Sequence, residues 1–405
     1  MNRKRTPMFS IPAVWKWCAL LVLLSGSIAL RFRNQPHKRA ANGPIHVKLL
    51  AHLNSTPTWD GAYPYVVVSL PDSGSHSLKF KTSILFKQPT LRHESPINQF
   101  EVDLHSGMFV LRQTDLFVAD VMPLVLTRTY HTWDYYAGAF GLAHDHPYNI
   151  CQSGDNHPYT YSDLYLEDGR QIHFPRISEG TGYADAVYRH TETSSEFYGA
   201  QITWNGVGWS FHFADGREFL FPDSYHAKDC AQKAPLEMRD GADHRIQLQR
   251  DKASGNLEKL ISTSGHTIKF RYDGASRIIE AGDDSGNIRK YSYDSIGHLQ
   301  TVADASRVLY RFEYERLNRS ANNPYLMTVI TDGEWRMMLR NKYRGGRVLA
   351  QELANGEQYT YDYILDRNRK QVIETDVKLP DGRTRKFFFE NGIPKRRQNA
   401  PDPLH

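Results

Sequence analysis

Downstream of residue 40 the apolar positions fall on alternate residues, with no stretch holding the helical spacing over the eleven or more positions a helix needs. Ile268, Phe270 and Tyr272 share one face of an extended run while Lys269, Arg271 and Asp273 take the other. Val308, Tyr310, Phe312 and Tyr314 repeat the alternation, with Arg311 and Glu313 opposite. Each such run predicts a strand with one buried face and one wet face. Between the runs stand Asp168-Gly169, Asp215-Gly216, Asp240-Gly241, Asp332-Gly333, Asn355-Gly356, Asp381-Gly382 and Asn391-Gly392. Dipeptides of this kind tolerate positive φ and predict hairpin turns. The pattern predicts an all-β chain.

The pattern is periodic. Tyr272, Tyr293 and Tyr314 are spaced by 21 residues, and the first two open Tyr272-Asp273 and Tyr293-Asp294. Six residues after each of those two comes an aliphatic, Ile278 or Leu299, and eleven after comes an acid, Asp283 or Asp304. Drifted copies stand at residues 246–257, 359–362 and 387–391, and the polar stretch 316–325 is placed in a loop. A single Tyr-Asp is no more than a strand end before a turn; the repetition carries the signal. One unit suffices for two short strands and two turns, too little to bury its aromatic face alone. The expected architecture is therefore a series of stacked antiparallel hairpins, with tyrosines 272, 293 and 314 and aspartates 273 and 294 as structural markers and ring-on-ring contacts between neighbouring units.

The first forty residues hold eight Lys and Arg and no acid; removing those charges from the net of +5 leaves the rest at −3. No basic surplus remains to neutralise phosphates, so no nucleic-acid partner is expected. The apolar stretch from Trp17 to Leu30, flanked by Lys16 and by Arg31 and Arg33, reads as a signal peptide or a membrane anchor, with residues 11–30 long enough to span if Lys16 snorkels. Cys18 stands too early in that stretch for a lipobox. In an oxidising compartment Cys151 and Cys230 could pair; two free thiols remain the alternative.

Candidate chemistry is sparse. His144 and His146 fall on one side of an extended strand, and His157 could complete a metal set with Asp145 or Asp155, but the spacing matches no fixed metal motif. No nucleophile elbow, P-loop or His-Glu-x-x-His occurs. No cofactor and no enzymatic activity are expected; paired glycosidase carboxylates, recognisable only in space, stay open. Aromatic rings beside Asp, Asn and Arg on a long sheet suit a carbohydrate or protein partner at the cell surface.

Tyr293-Asp294-Ser295-Ile296-Gly297-His298-Leu299 resembles the repeat of the YD-repeat, or Rhs, family. Residues 102–107, 111–116 and 123–130, followed by Gly138-Ala139-Phe140-Gly141, are similar to the module that opens many Rhs proteins. The resemblance implies a β-spiral, sometimes closed around a C-terminal toxin or displayed for recognition. With five or six recognisable repeats and a basic, Pro-containing end in place of a toxin boundary, this chain is expected to form an open sheet or partial spiral without a toxin. The expected divisions are 1–35 leader or anchor, 36–96 linker and small β-region, 97–150 opening module, 151–245 hairpins, 246–395 repeat array and 396–405 tail. The expected role is structural or adhesive in the envelope or outside it. The alternatives are a remnant or accessory piece of an Rhs toxin system and a carbohydrate-active enzyme.

Overall fold

The computed structural model describes residues 67–69, 77–79, 102–132, 137–192, 195–242, 244–315, 326–367, 371–390 and 393–394. The leader, its Cys18, the loop 316–325 and the tail lie outside them. Two units divide the chain, Met1–Ser83 with Leu404–His405, and Ile84–Pro403. Of the first unit, the described part is one antiparallel pair, Val67–Ser69 with Ser77–Lys79.

The second unit is β-structure with two single turns of 3-10 helix, Pro147–Asn149 and Ala231–Lys233, among the described residues. Strands from Val187–Arg189 to Ile393–Pro394 form one 19-stranded antiparallel sheet in which each strand pairs with the next in sequence. Hairpin turns make this the shortest connection. Tyr161–Tyr165, between Cys151–Gly154 and Gln171–Pro175, makes a three-stranded sheet. Its last strand continues toward the long sheet through the bridge between Arg176 and Tyr188.

The array is less regular than alternation predicts, and the irregularity is systematic. Tyr272 pairs with Ile278, Tyr293 with Leu299, Tyr314 with Met327 and Tyr343 with Val348, and in each case the register shifts by one residue at the tyrosine. Such a bulge adds one residue to the second strand and re-aims the side chains around it. As a result the two core positions of the second strand fall three apart: Ile278 and Ala281, Leu299 and Val302, Met327 and Ile330 are all buried.

The bulge also explains what the tyrosines do. Tyr272 donates its hydroxyl to the Leu257 carbonyl at 3.0 Å, Tyr314 to Leu299 at 2.8 Å and Tyr363 to Val348 at 2.8 Å, each fifteen residues back. Tyr293 does the same to Ile278, and Tyr343 to Met327 sixteen residues back. The acceptor is the bulge partner of the preceding unit. Six residues across the turn and fifteen back to the carbonyl make the 21-residue period. Successive repeat tyrosines are thus joined by a ladder of hydroxyl-to-carbonyl bonds, and an expected ring contact between neighbouring units is made where Tyr314 stacks on His298 of the preceding unit, 4.5 Å between ring centres.

The aspartate after the tyrosine closes its turn. Asp273 accepts from the backbone N–H of Ala275 and Arg277 and from the Arg277 side chain. Asp294 accepts likewise from Ile296, Gly297 and His298, including the His298 ring at 2.7 Å. Side-chain oxygens mimicking a backbone turn explain why Asp recurs here.

The opening module crosses the aromatic face of the sheet. Val110–Val118, Leu124–His131 and His144–Asp145 form its three-stranded sheet. Backbone bonds run from Ile278 N–H to the Ala139 carbonyl (2.7 Å), from Leu142 N–H to Gly297 (3.0 Å) and from Val348 N–H to Gly107 (2.9 Å). The Thr375 hydroxyl reaches the Leu104 carbonyl at 2.6 Å. Physically the aromatic face of a hairpin series needs a partner along its length, and this module supplies it. Gly141, at φ +86°, has its backbone so close to Gly297 that a Cβ would collide with that carbonyl; here the Phe-Gly sequence is a packing requirement.

Candidate functional site

The most concentrated polar chemistry lies between the opening module and the sheet. Arg128 is fully buried and donates to Asp115 at 3.1 Å through Nε and to Gln113 at 2.7 Å through Nη2. Its guanidinium sits 5.3 Å from the centre of the Phe312 ring, and Tyr291 donates to the same Asp115 at 2.9 Å. Tyr130, also fully buried, accepts from Met327 N–H at 2.8 Å and packs on His144 and Tyr314. Burial and the Asp115 charge hold the Tyr291 hydroxyl well above the ordinary tyrosine range, so it acts as a neutral donor. A buried pair of this kind adds little net stability, because desolvation offsets its attraction; the Tyr291 bond to Asp115 is what links it to the long sheet.

The three histidines do not meet. His144 lies between Tyr130 and Phe312, with Nδ1 3.1 Å from the Leu142 carbonyl. His146 contacts Phe140, Tyr148 and Phe270. Burial, then the charge of Arg250, pushes His146 down to about 3, and burial followed by Arg128 holds His144 well below the usual range. Both are neutral aromatic packing. His157 is exposed beside Pro158. Asp145 accepts from the backbone of Ala139 and His146 and from Asn149, and burial raises it to about 6 against those bonds. Asp155 closes a turn onto Thr160 and Tyr161. Among the described residues no group of three or more His, Cys, Asp and Glu side chains is placed to hold a metal.

Cys151 and Cys230 are joined by a disulfide, their Cα atoms 5.4 Å apart. It ties the strand Cys151–Gly154 to the segment before the Ala231–Lys233 turn, where Lys233 also donates to Ser153 at 3.2 Å.

Two features escaped sequence reasoning. Arg250 occupies the tyrosine position of the ladder: its Nε donates to the Pro235 carbonyl at 3.0 Å, fifteen residues back, and its other nitrogens reach the carbonyls of Tyr148 and Gly255 and the Asn149 side chain. The signal was present as Arg250-Asp251 ahead of Leu257. The second is a buried acidic pair, Glu167 and Asp168, at a hairpin turn. Asp168 is held by Arg112 at 3.1 Å and Arg170 at 2.8 Å, whereas burial and then the neighbouring Asp168 push Glu167 up to about 7. It is a turn, with no sequence mark of burial.

A family described as "Domain of unknown function (DUF6531)" matches residues 100–174. No curated protein matches the chain. Among solved structures, a crystal structure of TcdB2-TccC3 with Cdc42 is similar at 12% identity over 69% of this chain and 19% of that one, with a TM-score of 0.29. TcdB2-TccC3 without its hypervariable C-terminal region gives the same values, and a Photorhabdus luminescens Tc holotoxin pore gives 10% identity over 73% and 21%, with a TM-score of 0.19. This chain spans about a fifth of those chains.

Proposed function

We propose that this protein is a non-enzymatic YD-repeat protein, membrane-anchored or secreted, with a structural or adhesive role exercised through the outer side of its sheet. The observation that carries the reading is the occupation of the aromatic face by the chain's own opening module, from Thr375 bonded to Leu104 to Ile278 bonded to Ala139. A face filled by its own module leaves the outward residues for partners. The basic, apolar leader over residues 11–30 supports export, and a disulfide between Cys151 and Cys230 suits an oxidising compartment. The turn-closing and ion-paired roles of the aspartates support a scaffold over an enzyme.

Protease added to intact cells tests this reading. Degradation of the β-domain, or its recovery in the medium, is the expected result. Full protection in a cytosolic fraction, or turnover of a polysaccharide by the purified protein, would overturn it.

A further inference from the structure

Outside the module interface, one surface combines exposed rings, fixed loops and carboxylates. Tyr183 stands 5.9 Å from Tyr159 and 5.0 Å from Trp204, edge to face with the latter. Trp204 continues inward to Trp209 at 5.4 Å, and Trp209 to the buried Tyr188 at 5.7 Å. The inner end of this stack is core. The outer end is not: Tyr183 keeps 47% of its surface exposed. Burial leads the causes that raise the Tyr159 hydroxyl, followed by Tyr225, Tyr183, Asp223 and Asp155, each of which acts on Tyr159 electrostatically.

Two of these rings, Tyr159 and Tyr183, are carried on loops held in place by one side chain, while Trp204 ends the strand Gln201–Trp204. Arg176 donates to the carbonyls of Ser178 at 3.1 Å, Glu179 at 2.8 Å, Gly182 at 2.7 Å and Tyr159 at 3.4 Å. It also pairs with Asp185 at 3.1 Å. The Ser178 hydroxyl donates to the Asp185 carbonyl and accepts from Val187 N–H, closing the loop that bears Tyr183. Tyr159 sits at φ +64°, a conformation a tyrosine adopts only where its surroundings hold it. The Arg176 bond to its carbonyl and the Asp155 bonds to Thr160 and Tyr161 supply that restraint. Exposed rings would ordinarily be free to fold onto the nearest apolar surface; here the backbone on both sides is pinned, so their order is already established before any ligand arrives.

We propose that Tyr159, Tyr183 and Trp204 form a binding site for an uncharged saccharide. The inference rests on the recognition role proposed above and gives it a location and a ligand class. Ring faces stack on the C–H face of a pyranose, and phenolic hydroxyls with the flanking carboxylates take its hydroxyl groups. The charge disfavours acidic glycans: Asp155 and Asp223 add negative charge beside Tyr159, while Arg176 is only 6% exposed in its side chain and is paired with Asp185. Such a rim repels polyuronates and leaves neutral sugars as the fitting class.

The test is binding of the full-length protein to chitohexaose, cellohexaose, maltohexaose and polygalacturonate, with the Tyr183→Ala, Tyr183→Phe and Trp335→Ala variants alongside. At least one neutral hexasaccharide should bind saturably, with a change in tryptophan fluorescence as Trp204 is covered. Tyr183→Ala should weaken it about five-fold, as expected for loss of one stacked ring. Tyr183→Phe, which keeps the ring, should stay within about two-fold. Trp335→Ala, which removes an exposed ring outside the cluster, should change nothing. Binding of polygalacturonate alone, no binding of any neutral sugar, or equal losses from Trp335→Ala and Tyr183→Ala would overturn the site. None of these results bears on protease accessibility at the cell surface, so the site can fail while the envelope role stands.

Discussion

Tyr314 donates its hydroxyl to the carbonyl oxygen of Leu299, fifteen residues earlier and one hairpin away, at 2.8 Å. Among the described residues five tyrosines make a bond of this kind, each tying its hairpin to the one before. Removing one hydroxyl leaves a partly buried carbonyl without that donor. Tyr314→Phe should cost about 1 kcal/mol in urea unfolding, while Tyr314→Ala, which also removes the ring from Tyr130 and His298, should cost about 3 kcal/mol or more. A Tyr314→Phe variant as stable as the parent would show that the ladder is incidental.

Alternation, turn dipeptides and the 21-residue period make the antiparallel hairpins legible in the sequence, because strand facing and hairpin turns are local properties. The bulge at each tyrosine is not, since Ile278 to Ala281 and Leu299 to Val302 read as a broken alternation until the partner strand is known. The docking of the opening module was hidden for a similar reason. The contact of Arg128 with Phe312, or of Gly141 with Gly297, joins residues more than 150 positions apart, and nothing in either segment names the other. The histidines, weak metal candidates by sequence closeness alone, are separated because burial turns His144 and His146 toward different aromatic neighbours and leaves His157 exposed.

Arg250 joins the first rung of the ladder to the opening module. Arg250→Ala strands four acceptors and removes the cation that faces Asp145. A loss of about 3 kcal/mol is expected, in the range for breaking a buried charged network. Arg250→Tyr should recover part of it through the Pro235 carbonyl, where Tyr would stand in its ladder position. Equal losses from both variants would deny Arg250 that place in the series.

Acid and base should act on different residues. In Asp294, burial opposes ionisation but the bonds from His298 and Gly297 outweigh it, so its folded carboxyl lies below the usual range. Its contribution is present above the unfolded value of about 3.9 and is lost as pH falls through the lower folded value. Asp294→Asn should therefore cost about 1 kcal/mol at pH 7, and the difference should shrink below about pH 3.5. Glu167 runs the other way. Raised to about 7 by burial and by Asp168, it binds more protons folded than unfolded, so it lowers stability as pH rises from about 4.3 through 7. Glu167→Gln should gain about 2 kcal/mol over the parent at pH 8 relative to pH 5. Denaturation curves at the two pH values decide it, and a pH-independent difference would place Glu167 in an ordinary solvated range.

The bridge between Cys151 and Cys230 closes 79 residues of chain, spanning the second and third strands of the small sheet and the first strands of the long one. A loop of that length restricts the unfolded chain considerably, and the chain-entropy argument sets the stabilisation at about 4 kcal/mol, with 2 to 5 the usual range for native bridges. Cys151→Ser and Cys230→Ser should each lower the melting temperature by the same amount, and the double variant by no more than either, because one bond is lost in all three. Reducing agent should bring the parent down to the level of the variants and leave the variants unmoved. Additive losses in the double variant would mean that the two sulfurs act as separate buried thiols, and the strand Cys151–Gly154 would then be held by its pairing with Tyr161–Tyr165, by packing and by the Lys233 bond to Ser153.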